Sequence, residues 1–190
     1  MTTTRGAARR GRAIAVGWAA ATIAAVPGLA ACSVQDTLPP PDCVDGGSGL
    51  IVAQSVPSAS LVPCFQDLPA GWEFASVLVN EEHTVVTLDS DRVGDEAAVL
   101  RLEESCDTSG AVSAPTDQAG AEQYDEIERL RPGLRAARYY VFPGGCVWWS
   151  FEFDSGTSAT QAVAVGESLV LVPRVELNEA VRESFVDEEL

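Results

Sequence analysis

The sequence predicts an α+β domain: a mainly antiparallel sheet of about five strands, a crossover helix, C-terminal helices and two disulfides. Three observations point there. Runs of strand character come first along the chain, and helical periodicity dominates its end. Strands followed by helices favour segregated α and β parts over alternating βαβ units. Four cysteines, Cys43, Cys64, Cys106 and Cys146, remain once Cys32 is set aside. An even number of cysteines without a metal-binding spacing suggests a disulfide framework.

The elements follow in order. Residues Cys43 to Trp72 are punctuated by Gly46-Gly47, Gly49, Pro57, Pro63 and Pro69, which leave room for a short strand or a helical turn. Glu73–Asn80, Thr84–Asp89 and Ala97–Glu103 alternate as strands, with turns at Asn80–His83 and Asp91–Glu96. Asp107–Gly120 is polar and loop-like. Ala121–Arg131 places Tyr124, Ile127 and Leu130 at helical spacing, and Pro132-Gly133 stops it. Arg135–Phe142 and Cys146–Phe153 are two further strands around Pro143-Gly144-Gly145. Ser158–Ser168 is read as a helix, Leu169–Val172 suits a strand, and Glu176–Phe185 is an amphipathic helix with Leu177, Val181 and Phe185 inward. The long link from Cys106 to Arg135 carries the crossover, which would make the third and fourth strands parallel and bring Cys106 and Cys146 to one sheet edge. Three connectivities are open to four cysteines. Cys43–Cys64 and Cys106–Cys146 are the expected pairs, the first closing the Pro/Gly-rich segment and the second tying the third strand to the fifth.

The start of the chain has its own character. Arg5, Arg9, Arg10 and Arg12 precede an uncharged run from Ala13 to Val26, and Pro27-Gly28 ends it. A basic segment, an apolar segment and small residues make a secretory signal. The uncharged stretch approaches the roughly 20 residues of a membrane span, but it is rich in alanine and broken by Pro27-Gly28. Arg9-Arg10 is followed by Gly11-Arg12 rather than apolar residues, which favours the general secretory route over twin-arginine export. Leu29-Ala30-Ala31-Cys32 resembles the bacterial lipobox at all four positions. The resemblance implies cleavage before Cys32 and a diacylglyceryl group on its sulfur. The expected organisation is a signal peptide over 1–31, a lipidated cysteine and proline-rich tether over 32–42, and one extracytoplasmic domain over 43–190.

Charge narrows the partners. The leader holds four of the twelve arginines and none of the 28 acids, so the mature part carries eight arginines, no lysine and a net charge of −20. Such a surface repels nucleic acid and anionic lipid headgroups. The expected partners are the membrane, through the lipid, and an unidentified envelope protein or small ligand at the outer face of the cytoplasmic membrane.

Site chemistry is sparse. No CxxC pair occurs and His83 is the one histidine, which is too little for an ordinary zinc set. His83 lies beside Glu81 and Glu82, and no G-x-S-x-G elbow accompanies it. Asp89-Ser90-Asp91 with Gly94 resembles the start of an EF-hand loop, but Val93 and Leu100 stand where oxygen ligands belong. Gly46-Gly47-Ser48-Gly49 is too short for a phosphate loop. Chance carboxylate pairs such as Glu103-Glu104 are inevitable among so many acids. No catalytic residue, metal or cofactor is therefore assigned.

The richest stretch runs from Arg138 to Asp154. A three-residue loop would pair Phe142 with Cys146. It would put Tyr139, Val141, Val147, Trp149 and Phe151 on a core face. Arg138, Tyr140 and Trp148 would share the other face as a candidate ligand platform, with the arginine stacked on an aromatic ring. This stretch is similar to one in uncharacterised exported proteins of high-GC Gram-positive bacteria, a resemblance that implies the envelope location and no activity. The expected function is a non-enzymatic binding or accessory module, with an envelope hydrolase using an unrecognised carboxylate site as the alternative.

Overall fold

The computed structural model describes residue 41 and residues 47–153 and 159–187. The chain divides into two units, Met1–Gln35 and Asp36–Leu190, and every described residue belongs to the second. Its elements are α1 (Gly47–Ser55), β1 (Leu61–Phe65), β2 (Trp72–Val79), β3 (Thr84–Ser90), β4 (Gly94–Glu103), β5 (Val112–Ala114), β6 (Glu122–Arg129), β7 (Arg135–Phe142), β8 (Gly145–Glu152), α2 (Ala159–Gly166), β9 (Leu169–Pro173) and α3 (Arg174–Asp187).

The unit is mostly β. A seven-stranded antiparallel sheet runs β2-β3-β4-β8-β7-β6-β5, and β1 pairs with β9 in a second small sheet. This corrects the α+β expectation of about five strands with a crossover helix. The large sheet is two meanders, β2-β3-β4 and β5-β6-β7-β8, joined where β4 meets β8. The segment read as the crossover helix is β6, paired antiparallel with β7 from Glu122↔Val141 to Arg129↔Arg135. Without it, the outer edge of β7 would leave its backbone groups unpaired. Ladder pairing outweighed the modest helical preference of Ala121–Arg131. Pro132-Gly133 makes a hairpin turn rather than a helix stop.

The parallel third and fourth strands are corrected as well. β4 lies beside β8, antiparallel, with Glu103 opposite Cys146. The end of one therefore meets the start of the other, and the Cys106–Cys146 disulfide forms there with a Cα separation of 5.8 Å. The pairing expected from sequence is present, although the topology that suggested it is not. It is the one disulfide placed among the described residues. Cys64 is itself disulfide-bonded, but Cys43 lies outside the described residues, as do Cys32 and the whole predicted leader.

One face of the large sheet is covered and the other is open. Val77, Val86, Leu88, Leu100, Leu102, Val147, Trp149 and Phe151 point into the core, where Val52, Val56, Leu61, Val62, Phe65, Val165, Leu169 and Leu177 meet them. Aromatic rings link the layers. Phe65 lies edge-on to Trp149 at 5.8 Å and to Phe74 at 5.2 Å, and Trp149 stacks on Phe151. Burying such a ring contributes roughly 1.5–3 kcal/mol. Arg174 locks the covering layer, with its guanidinium donating to Ala59 O and Val56 O at 2.6 Å each. Those carbonyls follow the end of α1, and Val56 O also accepts from Ala59 N at 3.1 Å. The Gln118 amide bridges to β9, donating to Leu169 O and accepting from Leu171 N.

Candidate functional site: a crevice beneath α2

The site begins with the β7–β8 hairpin. Its loop is two residues long, and Phe142 pairs with Gly145. Pro143 at the first central position and Gly144, with φ +75°, at the second suit a type II turn. This is one residue shorter than the loop expected from sequence. Side chains alternate with a period of two, so a one-residue slip moves every side chain of one strand to the opposite face. The face of β8 stands as expected, with Val147, Trp149 and Phe151 buried. The face of β7 is inverted: Tyr140 and Phe142 are buried with them, and Tyr139 and Val141 point outward.

The predicted ligand platform is thereby split. Arg138 and Tyr140 lie on the covered face, opposite Trp149 and Val147. Trp148 lies on the open face, stacked on Tyr139 at 5.9 Å. The arginine stacked on a ring is Arg101, whose guanidinium is 5.7 Å from the Trp148 centroid. Trp148 Nε1 donates to Glu103, and Tyr139 Oη donates to Glu126. Burial, and then the charge of Glu126, hold the Tyr139 phenol above its ordinary range. Arg101, Trp148, Tyr139 and Tyr124 are in register across β4, β8, β7 and β6. Both faces of the Trp148 ring thus have neighbours, which makes the row a cross-strand ladder.

Arg138 instead forms one end of a crevice on the covered side. Its Nε and Nη2 donate to the two Asp125 oxygens at 2.8 and 3.3 Å. Burial works against the charged guanidinium, but the Asp125 hydrogen bond and the neighbouring Tyr140 and Asp125 outweigh it, so its pKa is raised. Gly166 at the end of α2 leaves room for the arginine, since a Cβ there would lie 3.3 Å from Nη1. From this pair the crevice runs between α2 and the β6–β7 strands and offers about 130 Å³. Leu134, Ala136, Phe151 and Ala162 are among its apolar walls. Ile127, Leu130 and Val163 line it while remaining 60%, 56% and 48% exposed. An apolar slot that also carries the Arg138–Asp125 pair and Glu126 can hold an apolar group and orient a polar one. Asp125 was missed from sequence because it sat in the presumed helix. The usable signal was the Pro132-Gly133 turn, which makes a hairpin of the two flanking segments.

A second recess is acidic. Glu81, Glu82, His83, Glu103, Glu104 and Ser105 surround it at the other end of the sheet. His83 Nε2 lies 2.9 Å from Asn80 Nδ2, within hydrogen-bond distance. Among the described residues no group of three His, Cys, Asp or Glu side chains is placed to hold a metal ion. The EF-hand-like stretch is a turn: Asp89 Oδ1 accepts from Glu96 N at 2.7 Å, and Asp91 pairs with Arg92. No described helix is long and apolar enough to cross a membrane.

No protein-family model and no curated protein matches the chain. A crystal structure from Bacteroides thetaiotaomicron VPI-5482 is similar at 12% identity and a TM-score of 0.33. The likeness covers 62% of this chain and 47% of that one, so the chain spans about half of that protein's length.

Proposed function

We propose that the chain is a lipid-anchored binding module at the outer face of the cytoplasmic membrane. The observation that carries this reading is the Leu29-Ala30-Ala31-Cys32 motif behind a basic and then apolar leader. The Cys106–Cys146 disulfide supports it, because such bonds persist in oxidising compartments. The binding function is supported by the crevice under α2. Its apolar walls suit the apolar part of a small ligand or of a partner's side chain, and Arg138–Asp125 offers a polar end. Metabolic labelling with a fatty-acid probe tests the anchor. The wild-type chain takes up label and Cys32→Ala does not. Label persisting on Cys32→Ala overturns the assignment.

A further inference from the structure

The mature chain carries a net charge of −20, yet residues Arg129 to Arg138 contain four of its eight arginines and no acid. This segment is the β6–β7 turn and the first half of β7. Arg129, Leu130 and Arg131 are exposed. Among the described residues Arg129 and Arg131 have no carboxylate within 4 Å, although Arg129 Nε donates to Gly133 O at 3.3 Å, whereas Arg135 pairs with Glu152 and Glu128 and Arg138 with Asp125. Seven large apolar side chains are exposed among the described residues, and three of them, Ile127, Leu130 and Val163, gather around this turn and the crevice mouth. Cations beside exposed apolar side chains are the composition of an interfacial membrane contact.

We propose that the β6–β7 turn seats on an anionic phospholipid surface, with Leu130 and Ile127 at headgroup depth and Arg129 and Arg131 on lipid phosphates. The inference rests on the anchored reading above. Charge selects the orientation: the acidic body is repelled by such a surface, and Arg129 and Arg131, the turn's two arginines without a carboxylate partner, are attracted despite the exposed Glu128 beside them. The reach of the tether can be bounded from chain geometry. Phe65 N donates to Pro41 O at 2.9 Å, which fixes where the domain begins. The nine residue steps from Cys32 to Pro41 span at most about 30–32 Å, comparable with the ten residues of β4 at roughly 33 Å. The anchor alone therefore allows several orientations, and the arginines decide among them. So placed, the crevice opens toward the lipid.

The test uses the processed full-length lipoprotein in phosphatidylcholine vesicles with brominated acyl chains, with and without phosphatidylglycerol. Leu130→Trp supplies the reporter, and the wild-type tryptophans give the background. The expected result is added quenching of the reporter only with phosphatidylglycerol. Arg131→Gln should lower the bound-to-free ratio of the turn about fivefold, and Arg131→Lys should retain it. No added quenching with phosphatidylglycerol overturns the proposal. Equal quenching in both vesicles, or quenching indifferent to Arg131→Gln, overturns its electrostatic basis. A change of oligomeric state in Arg131→Gln without a change in quenching would assign the turn to a second copy of the chain. Flotation with pure phosphatidylcholine vesicles reports the anchor separately. If that fails, the chain is added directly to phosphatidylglycerol vesicles and the reporter is read in the same way.

Discussion

Tyr140 and Trp149 show how single polar atoms are handled in this core. Trp149 is fully buried, and its indole N–H has no hydrogen-bond partner among the described residues. An unsatisfied buried donor costs about 1–3 kcal/mol, which the packing of the ring against Phe65 and Phe151 offsets. Tyr140, 4% exposed, sits beside Arg138. Burial, followed by the charges of Asp125 and Asp117, raises its pKa above about 10, against the opposing pull of Arg138. A phenol whose folded pKa is raised stabilises the fold below its unfolded pKa, and that contribution is lost as pH rises through the folded value. Stability should therefore decline above about pH 10, where the unfolded chain releases this proton first. Tyr140→Phe should make the decline shallower. Urea denaturation from pH 8 to 11 checks this, and an unchanged slope would remove Tyr140 as its source.

At the scale of elements, the β7–β8 turn sets which side chains face the core. Gly144 has φ +75°, and a Cβ on it would lie 1.9 Å from Ser58 O. Ser58 Oγ also donates to Gly144 O, and Ser60 N donates to Pro143 O, so the turn is clasped by the α1–β1 connection. Gly144→Ala should cost at least ~2 kcal/mol, from left-handed strain and the displaced clasp. Equilibrium unfolding measures it, and a change under about 0.5 kcal/mol would contradict the clasp. The same turn shows what was legible in the sequence. The positions of the strands Trp72–Val79, Thr84–Ser90, Arg135–Phe142 and Gly145–Glu152 could be read from alternation. The core face of β8 could be read too, because Val147, Trp149 and Phe151 form the heavier apolar set. The face of β7 could not, because both of its faces carry aromatic or large apolar side chains and only the loop length distinguishes them. Tyr124, Ile127 and Leu130 fit a helix by spacing, and nothing local announced that β7 needed a partner. The Arg138–Asp125 crevice was hidden by both errors together.

At the scale of the whole molecule, the two meanders meet only at β4 and β8. The Cys106–Cys146 bond staples one end of that seam, across a sequence separation of 40. Chain-entropy estimates give such a bond about 4 kcal/mol. Replacing both cysteines with serine should lower stability by roughly 3–4 kcal/mol. Amide hydrogen exchange should show protection falling most along β4 and β8 and least at the β2–β3 pairing. Uniform loss over all strands would mean that the seam is no weaker than the rest. The order of the strands has a further consequence for a chain that is made, and on the reading above threaded across a membrane, from its N-terminus. β2, β3 and β4 reach the far side first and can close into a meander by short hairpins, while the strand that must sit beside β4 is among the last of the sheet to arrive. Until β8 emerges, β4 is a bare edge with a waiting thiol just past its end. On that reading the β4 edge is exposed for an interval during delivery, and its length is set by the rate at which residues 104–145 are handed over.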